Sequence, residues 1–219
     1  MLVEESLKIK EFVEHLNLKD GIVLDLGSAD KRFREYVQPY IDRNVFRPLR
    51  ERGCQIQHLD LYGDEGIDMR LDIADLEKLH CRYDLVLCCN SFEHAPGLGK
   101  LGKNIVRLAR AEGYAIITTP CVFPYHKDPE DILFRPTIEE LMELLRGAEI
   151  VESAYLRVKA PYETRGITIP LIALKLLMAI RSLKYKISGE KFNLLKDLKT
   201  VFGQWKVTYL VVKPETKAY

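Results

Sequence analysis

No apolar run in this 219-residue chain reaches the roughly 18–20 positions that a bilayer-spanning helix needs. The opening stretch, MLVEESLKIKEF, is charged and amphipathic, without an apolar h-region or a cleavage site. Secretion is therefore not indicated, and a cytoplasmic setting is expected. CxxC spacing is missing as well: Cys54, Cys81, Cys88, Cys89 and Cys121 are odd in number, and two are adjacent. That sets aside a disulfide framework and a zinc site, leaving buried thiols and no metal as the expectation. There is no internal repeat and no low-complexity tract. The net charge of +1 exerts no general pull toward nucleic acid. A dinucleotide fingerprint, G-x-G-x-x-G, is also absent.

What remains is an ordinary globular composition, 47% hydrophobic, of a length that suits one domain. Val3, Leu7, Val13 and Leu16 lie near helical spacing, so 3–17 reads as a covering helix. Short apolar strands are expected at 22–26, at 53–63 ending on Asp60, at 67–76 ending near Asp72, at 83–91, at 114–120, at 149–156 and at 206–214. Between them, helices are expected over 32–41, ended around Pro39 and Asn44, and over 104–110, stopped by Glu112-Gly113. A further helix is started by the capping box of Thr137 and Glu140. This alternation argues a doubly wound, mostly parallel seven-stranded α/β sheet, its ligand crevice at the carboxyl ends of the strands. The chain divides into an N-terminal helix (1–19), a binding core (20–156), a helical basic insertion (157–205) and a last strand and tail (206–219), all in one domain.

The first strand runs into GIVLDLGSAD, which places Asp25 before a loop with a single glycine, Gly27. Positions where a pyrophosphate cradle wants further glycines hold Ala29 and Arg32, so a phosphate is poorly received. A ligand lacking phosphate and carrying an α-ammonium group suits the carboxylate better. From Asp20 to Leu156 the chain resembles the class I S-adenosylmethionine-dependent methyltransferases. VLDLGSA is similar to the first motif of that family, with Ala29 where a second glycine is usual; HLDLY to the second-strand end; RLDIADL to the third; and YDLVLCCNSFEHAP to the fourth strand with its following Glu-His. The resemblance implies a Rossmann-like fold and S-adenosylmethionine as cofactor. It implies that Asp25, Gly27, Ser28, Ala29, Asp60, Leu61, Asp72, Ile73, Asn90 and Ser91 bind the cofactor. Gly27 and Asp60 lie 33 positions apart, a long interval for the second motif.

Methyl transfer from a sulfonium needs orientation above all, and a base only if the nucleophile carries a proton. His94 and His126 are the candidate bases. Glu93, Tyr125, Asp128, Asp131 and Arg135 are candidate substrate residues, the last four in the long loop CVFPYHKDPEDILFRP. That loop resembles an H-x-x-P-x-D…R-x-T feature of one subgroup, associated with glycan or glycolipid acceptors. Other readings stand beside these: His94 as a helix cap, and His126, Asp131 and Arg135 as structural partners pinning the loop. His15, His58 and His80 read as ordinary surface or strand residues. The expected activity is methylation of an oxygen or nitrogen of a small-molecule, glycan or lipid-linked acceptor; the alternative is a methyltransferase-like binding protein without chemistry. A nicotinamide reductase ranks third, lacking both the glycine fingerprint and a Tyr-x-x-x-Lys pair.

From Arg157 onward there are 13 Lys and Arg against 4 Asp and Glu, about +9, against about −8 for the first 156 residues. Within that last third, 167–187 is apolar, with nine of its first fourteen residues Ile, Leu or Met, and then basic. Three settings suit it: peripherally at the inner membrane face, across the substrate crevice, or against a second copy in a homodimer. Its cations are interleaved with aliphatic rather than stacking residues, which argues against nucleic acid.

Overall fold

The computed structural model describes residues 1–62, 65–123, 131–159 and 205–215. Seven strands form one sheet: β1 (Ile22–Leu26), β2 (Gln55–Asp60), β3 (Met69–Arg70), β4 (Tyr83–Cys89), β5 (Ala109–Val122), β6 (Ala148–Arg157) and β7 (Lys206–Pro214). Their order is β3-β2-β1-β4-β5-β7-β6. The first five pair in parallel, and β7 runs antiparallel between β5 and β6. The doubly wound, mostly parallel sheet is thus the one its sequence pattern called for.

Alternation along the central strands gives each face its own core. Val23, Leu85, Leu87, Ile116 and Val211 share one with Ile9 and Val13 of α1 (Val3–His15) and Leu49 of α2 (Arg47–Glu51). Leu24, Leu26, Val86, Ile117 and Leu210 share the other with Leu101 and Ile105 of α3 (Leu98–Leu108) and Leu141 of α4 (Ile138–Leu144). Burial on both faces explains why 83–91 is a continuous apolar run. Asp84 is its exception: it accepts the Ile22 amide at 2.7 Å and meets Arg110 at 2.5 Å.

Several local readings are corrected. The buried stripe of α1 is Glu5, Ile9 and Val13, whereas Leu7 is half exposed. The helix expected over 32–41 is divided: a wide turn over Phe33–Val37 stops ahead of Pro39, and helical structure resumes through Asp42–Phe46 into α2. Asn44 ends nothing there, because its side chain is buried and donates to Ser6 Oγ at 2.9 Å. α3 begins six residues before Asn104, its first turns carrying Gly99 and Gly102. Gly102 is the point where α3 meets α4; a Cβ there would lie 2.2 Å from the Leu144 carbonyl oxygen. Glu112-Gly113 stops no helix but lies in β5, where the pairing with β4 shifts between Tyr83 and Leu85. The capping box at α4 is present, with Glu140 N donating to Thr137 Oγ1 and Thr137 N to Glu140 Oε2. Cys54, Cys88 and Cys89 are buried as expected, while Cys81 is exposed and Cys121 partly so. Among the described residues no helix is long and apolar enough to cross a membrane. The stretch 167–187 lies outside them.

Candidate functional site

β1 and β4 are neighbours whose following segments diverge to opposite sides, the arrangement that opens a crevice at the strands' carboxyl ends. The loop after β1 forms one wall. Gly27 adopts a positive φ of 68°, and a Cβ on it would lie 2.5 Å from Ser91 Oγ, so only glycine suits this approach. Gly27 N and Ser28 N both donate to the Leu59 carbonyl. Ala29 keeps the left-handed turn that a glycine would take without strain, at φ 54°, a conformation that costs a non-glycine residue about 1–2 kcal/mol. Its amide donates to Asp60 Oδ2 at 2.8 Å.

A brace that the sequence reading missed holds this loop. Arg34 is buried and donates to the carbonyls of Ala29 and Gly66 and to Ser28 Oγ. Burial lowers its pKa from the usual arginine value, against the charge of Asp25 nearby. Asp25 has a partner too. It stands opposite His58 in the β1–β2 register, and His58 Nδ1 lies 2.9 Å from its Oδ2. Phe46 meets the imidazole edge-on at 4.8 Å. His58 is therefore no ordinary strand residue; the signal was its position two residues before Asp60, on the face that Asp25 shares.

Asp60 closes β2, each of its oxygens accepting one amide, from Ala29 and from Tyr62. A carboxylate has about four acceptor positions, so it retains capacity for two hydroxyl groups. Asp72 caps the helical turn Ile73–Lys78 by accepting the Ala74 amide at 2.8 Å. Leu61 is exposed on the rim, and Ile73 is partly buried against the core. The helical turns over 33–51 take up the long interval between Gly27 and Asp60.

The other wall follows β4. Asn90 has φ 53°, and Ser91 Oγ donates to the Leu26 carbonyl at 3.2 Å. Beyond them a cavity of about 140 Å³ is lined by Asn90, Glu93, His94, Pro120 and Phe123, with Met1 and Leu2 also on its wall. Glu93 is 1% exposed. Burial pushes its carboxyl up to about 8, the Glu5 carboxylate adding to this and Arg135 opposing it. Thr119 Oγ1 donates to Glu93 Oε2 at 3.4 Å, and His94 Nε2 lies 3.8 Å from Oε1. Glu5, wholly buried, was missed; an acid on the Ile9–Val13 stripe of α1 was its signal. Asp131 and Arg135 meet in a buried two-point ion pair, at 3.0 and 2.5 Å, and Arg135 Nε donates to the Phe123 carbonyl. They bind each other and fix the chain beside the cavity. Tyr125, His126 and Asp128 lie outside the described residues.

Solved structures match this arrangement over nearly the whole chain. Coclaurine N-methyltransferase bound to N-methylheliamine and S-adenosylhomocysteine superposes with a TM-score of 0.57 at 16% identity, over 94% of this chain and 69% of that one. The O-methyltransferase of a trans-AT polyketide synthase multienzyme of Brevibacillus brevis, in complex with S-adenosylhomocysteine, gives 0.55 at 15%, over 95% and 71%. The chain has the class I methyltransferase fold. The [4+2]-cyclase SpnF also shares it, with 0.54 at 15% over 95% and 81%, so this methyltransferase fold does not by itself name a reaction. No family model and no curated protein matches the chain.

The residues suit the S-adenosyl ligand that this fold implies. The Gly27 cradle against Ser91 admits close backbone approach. Asp60 has acceptor capacity for a ribose, and the Asn90 Oδ1 atom is buried without a hydrogen-bond partner. Asp25 and Asp60 flanking a one-glycine loop would repel a phosphate. Among the described residues no group of three or more His, Cys, Asp or Glu could hold a metal ion.

Proposed function

We propose that the protein is an S-adenosylmethionine-dependent methyltransferase acting on an oxygen or nitrogen of a small-molecule, glycan or lipid-linked acceptor. One observation carries this reading. The cradle of Gly27, with Asp25 in β1, Asp60 ending β2 and Asp72 just past β3, lies on one side of the switch point, and a partly open cavity with an acid–histidine pair lies on the other. Asp25, Gly27, Ser28, Ala29, Asp60, Leu61, Asp72, Ile73, Asn90 and Ser91 hold the cofactor. When bound, S-adenosylmethionine supplies a methyl group on a sulfonium, already activated for displacement. The chain's own residues orient the acceptor and exclude water, the part of the barrier that proximity can lower by several kcal/mol. His94 takes the proton of a protonated nucleophile, with Glu93 beside it; His126, Tyr125, Asp128, Asp131 and Arg135 belong to the acceptor side.

The contact of His58 with Asp25 favours a second reading, in which the loop is tied down and the protein binds without chemistry. Calorimetric titration with S-adenosylhomocysteine decides between them. Micromolar binding supports the transferase; a folded protein that takes up none overturns it. The protein is further proposed to work in the cytoplasm, with 167–187 at the inner membrane face or against a second copy. Salt-reversible co-sedimentation with anionic vesicles tests the first of these placements, and sedimentation velocity the second.

A further inference from the structure

Asp25 and His58 are opposite each other in the β1–β2 register, and strand residues two apart share a face. Gly27 and Asp60 each stand two residues further on, so the pair lies one pleat, about 7 Å, beneath them. Both side chains are largely buried, Asp25 at 6% exposed and His58 at 12%. A buried carboxylate needs a partner, and His58 Nδ1 supplies it, 2.9 Å from Oδ2. Asp25 Oδ1 makes no hydrogen bond among the described residues and keeps its acceptor capacity for a ligand. The imidazole is itself fixed. Phe46 meets it edge-on, with the ring planes at 87°. Its backbone is clamped to Asp68, whose amide donates to the His58 carbonyl and whose Oδ2 accepts the His58 amide. Packing alone asks for an apolar residue here, as at Val23 and Ile56, paired two positions earlier on the same face.

Protons decide what the pair offers. An ionised carboxylate only accepts, so Nδ1 carries the proton in this contact. With Nε2 bare the ring is neutral, and Asp25 presents its full negative charge. A second proton, on Nε2, makes the ring a cation that cancels that charge. Histidine is the side chain that makes this change near neutral pH. Arg34 acts on the pair from the turn after β1, where Asp30 and Glu35 act on it in turn, and Asp68 from ahead of β3. Cys88 and Cys89 face Asp25 from β4, as thiols that burial keeps protonated.

We propose that His58 is a positioning residue for the S-adenosyl ligand. Holding Asp25 by Oδ2, it presents Oδ1 to the ligand's α-ammonium group, and its own second proton weakens that contact. The inference rests on the methyltransferase reading.

The test compares S-adenosylhomocysteine with 5′-methylthioadenosine, which shares its adenosine and thioether but lacks the amino-acid end. Both are titrated calorimetrically into the full chain at pH 5.5 and pH 7.5. The ratio of the two affinities is the readout, because a change that merely loosens the loop moves both. In the unmodified protein the preference for S-adenosylhomocysteine should rise about fivefold or more from the lower pH to the higher. His58→Leu should lower that preference at least tenfold at pH 7.5. His58→Asn restores a donor near the Nδ1 position without a titrating ring, so it should keep the preference and lose the pH dependence. A ratio that does not change with pH in the unmodified protein overturns the proposal, whether or not the variants fold. A His58→Leu protein that loses both ligands equally, or a His58→Asn protein that keeps the slope, overturns it as well. Binding of both ligands at a constant ratio sinks the role of His58 and leaves the transferase reading. A folded chain that binds neither sinks both.

Discussion

In the proposed cofactor site Asp25 is the acid nearest the Gly27 loop, and its contact with His58 sharpens what its loss should do. Asp25→Ala is expected to lower S-adenosylhomocysteine affinity at least tenfold, with an unchanged far-ultraviolet circular dichroism spectrum; unchanged affinity in the calorimeter would show that the first strand's acid serves the fold. Glu93 gives a second residue-level prediction. Its carboxyl titrates at about 8 in the folded chain and near 4.5 when exposed, so the native state keeps a proton that the unfolded chain has lost. Stability from this group is fully present below pH 4.5 and falls as pH rises toward 8. Glu93→Gln should flatten that decline between pH 5 and pH 8 in urea titrations and stand above the parent protein at pH 9. The sequence carried a positional signal for His58 and Glu5 but not the identity of their partners. They are defined by what sits across a strand register or beneath a helix, and neither relation is local. Asp60 was legible because it ends its strand, where the loop that follows marks it, whereas the strand expected over 67–76 is only Met69–Arg70 and Asp72 caps the helical turn after it.

Elements were recovered where periodicity is strong and lost where glycine or proline intervenes. α4 announces itself through Thr137 and Glu140, whereas α3 hides its first turns behind Gly99 and Gly102. Gly102 is a contact, not a break: replacing it with Ala sets a methyl group against the Leu144 carbonyl. The overlap should outweigh the better helix propensity and destabilise the protein by roughly 1–2 kcal/mol, read from the urea midpoint at constant slope. The chain leading into α4 depends on the Asp131–Arg135 pair. Arg135→Met strands a buried carboxylate and should cost about 3–5 kcal/mol, much of it recovered in the Asp131→Leu/Arg135→Met double variant.

At the scale of the molecule, the strand count and near-parallel order followed from alternation alone, while the place of β7 between β5 and β6 did not, since pairing order leaves no mark on a strand's own residues. If the crevice holds the cofactor, ligand and fold are linked. At a hundredfold excess over its dissociation constant, S-adenosylhomocysteine should add about 2.7 kcal/mol. A chain of this size should then melt roughly 5–10 °C higher in scanning fluorimetry. The position of β7 has a consequence for synthesis. The seventh strand in sequence completes the interior of the sheet, with β5 on one flank and β6 on the other. A nascent chain that ends before β7 must wait with the edge of β5 open and β6 without a strand to pair with. Those edges are the natural targets of a holding chaperone, and the speed of elongation through residues 158–205 sets how long they stay open.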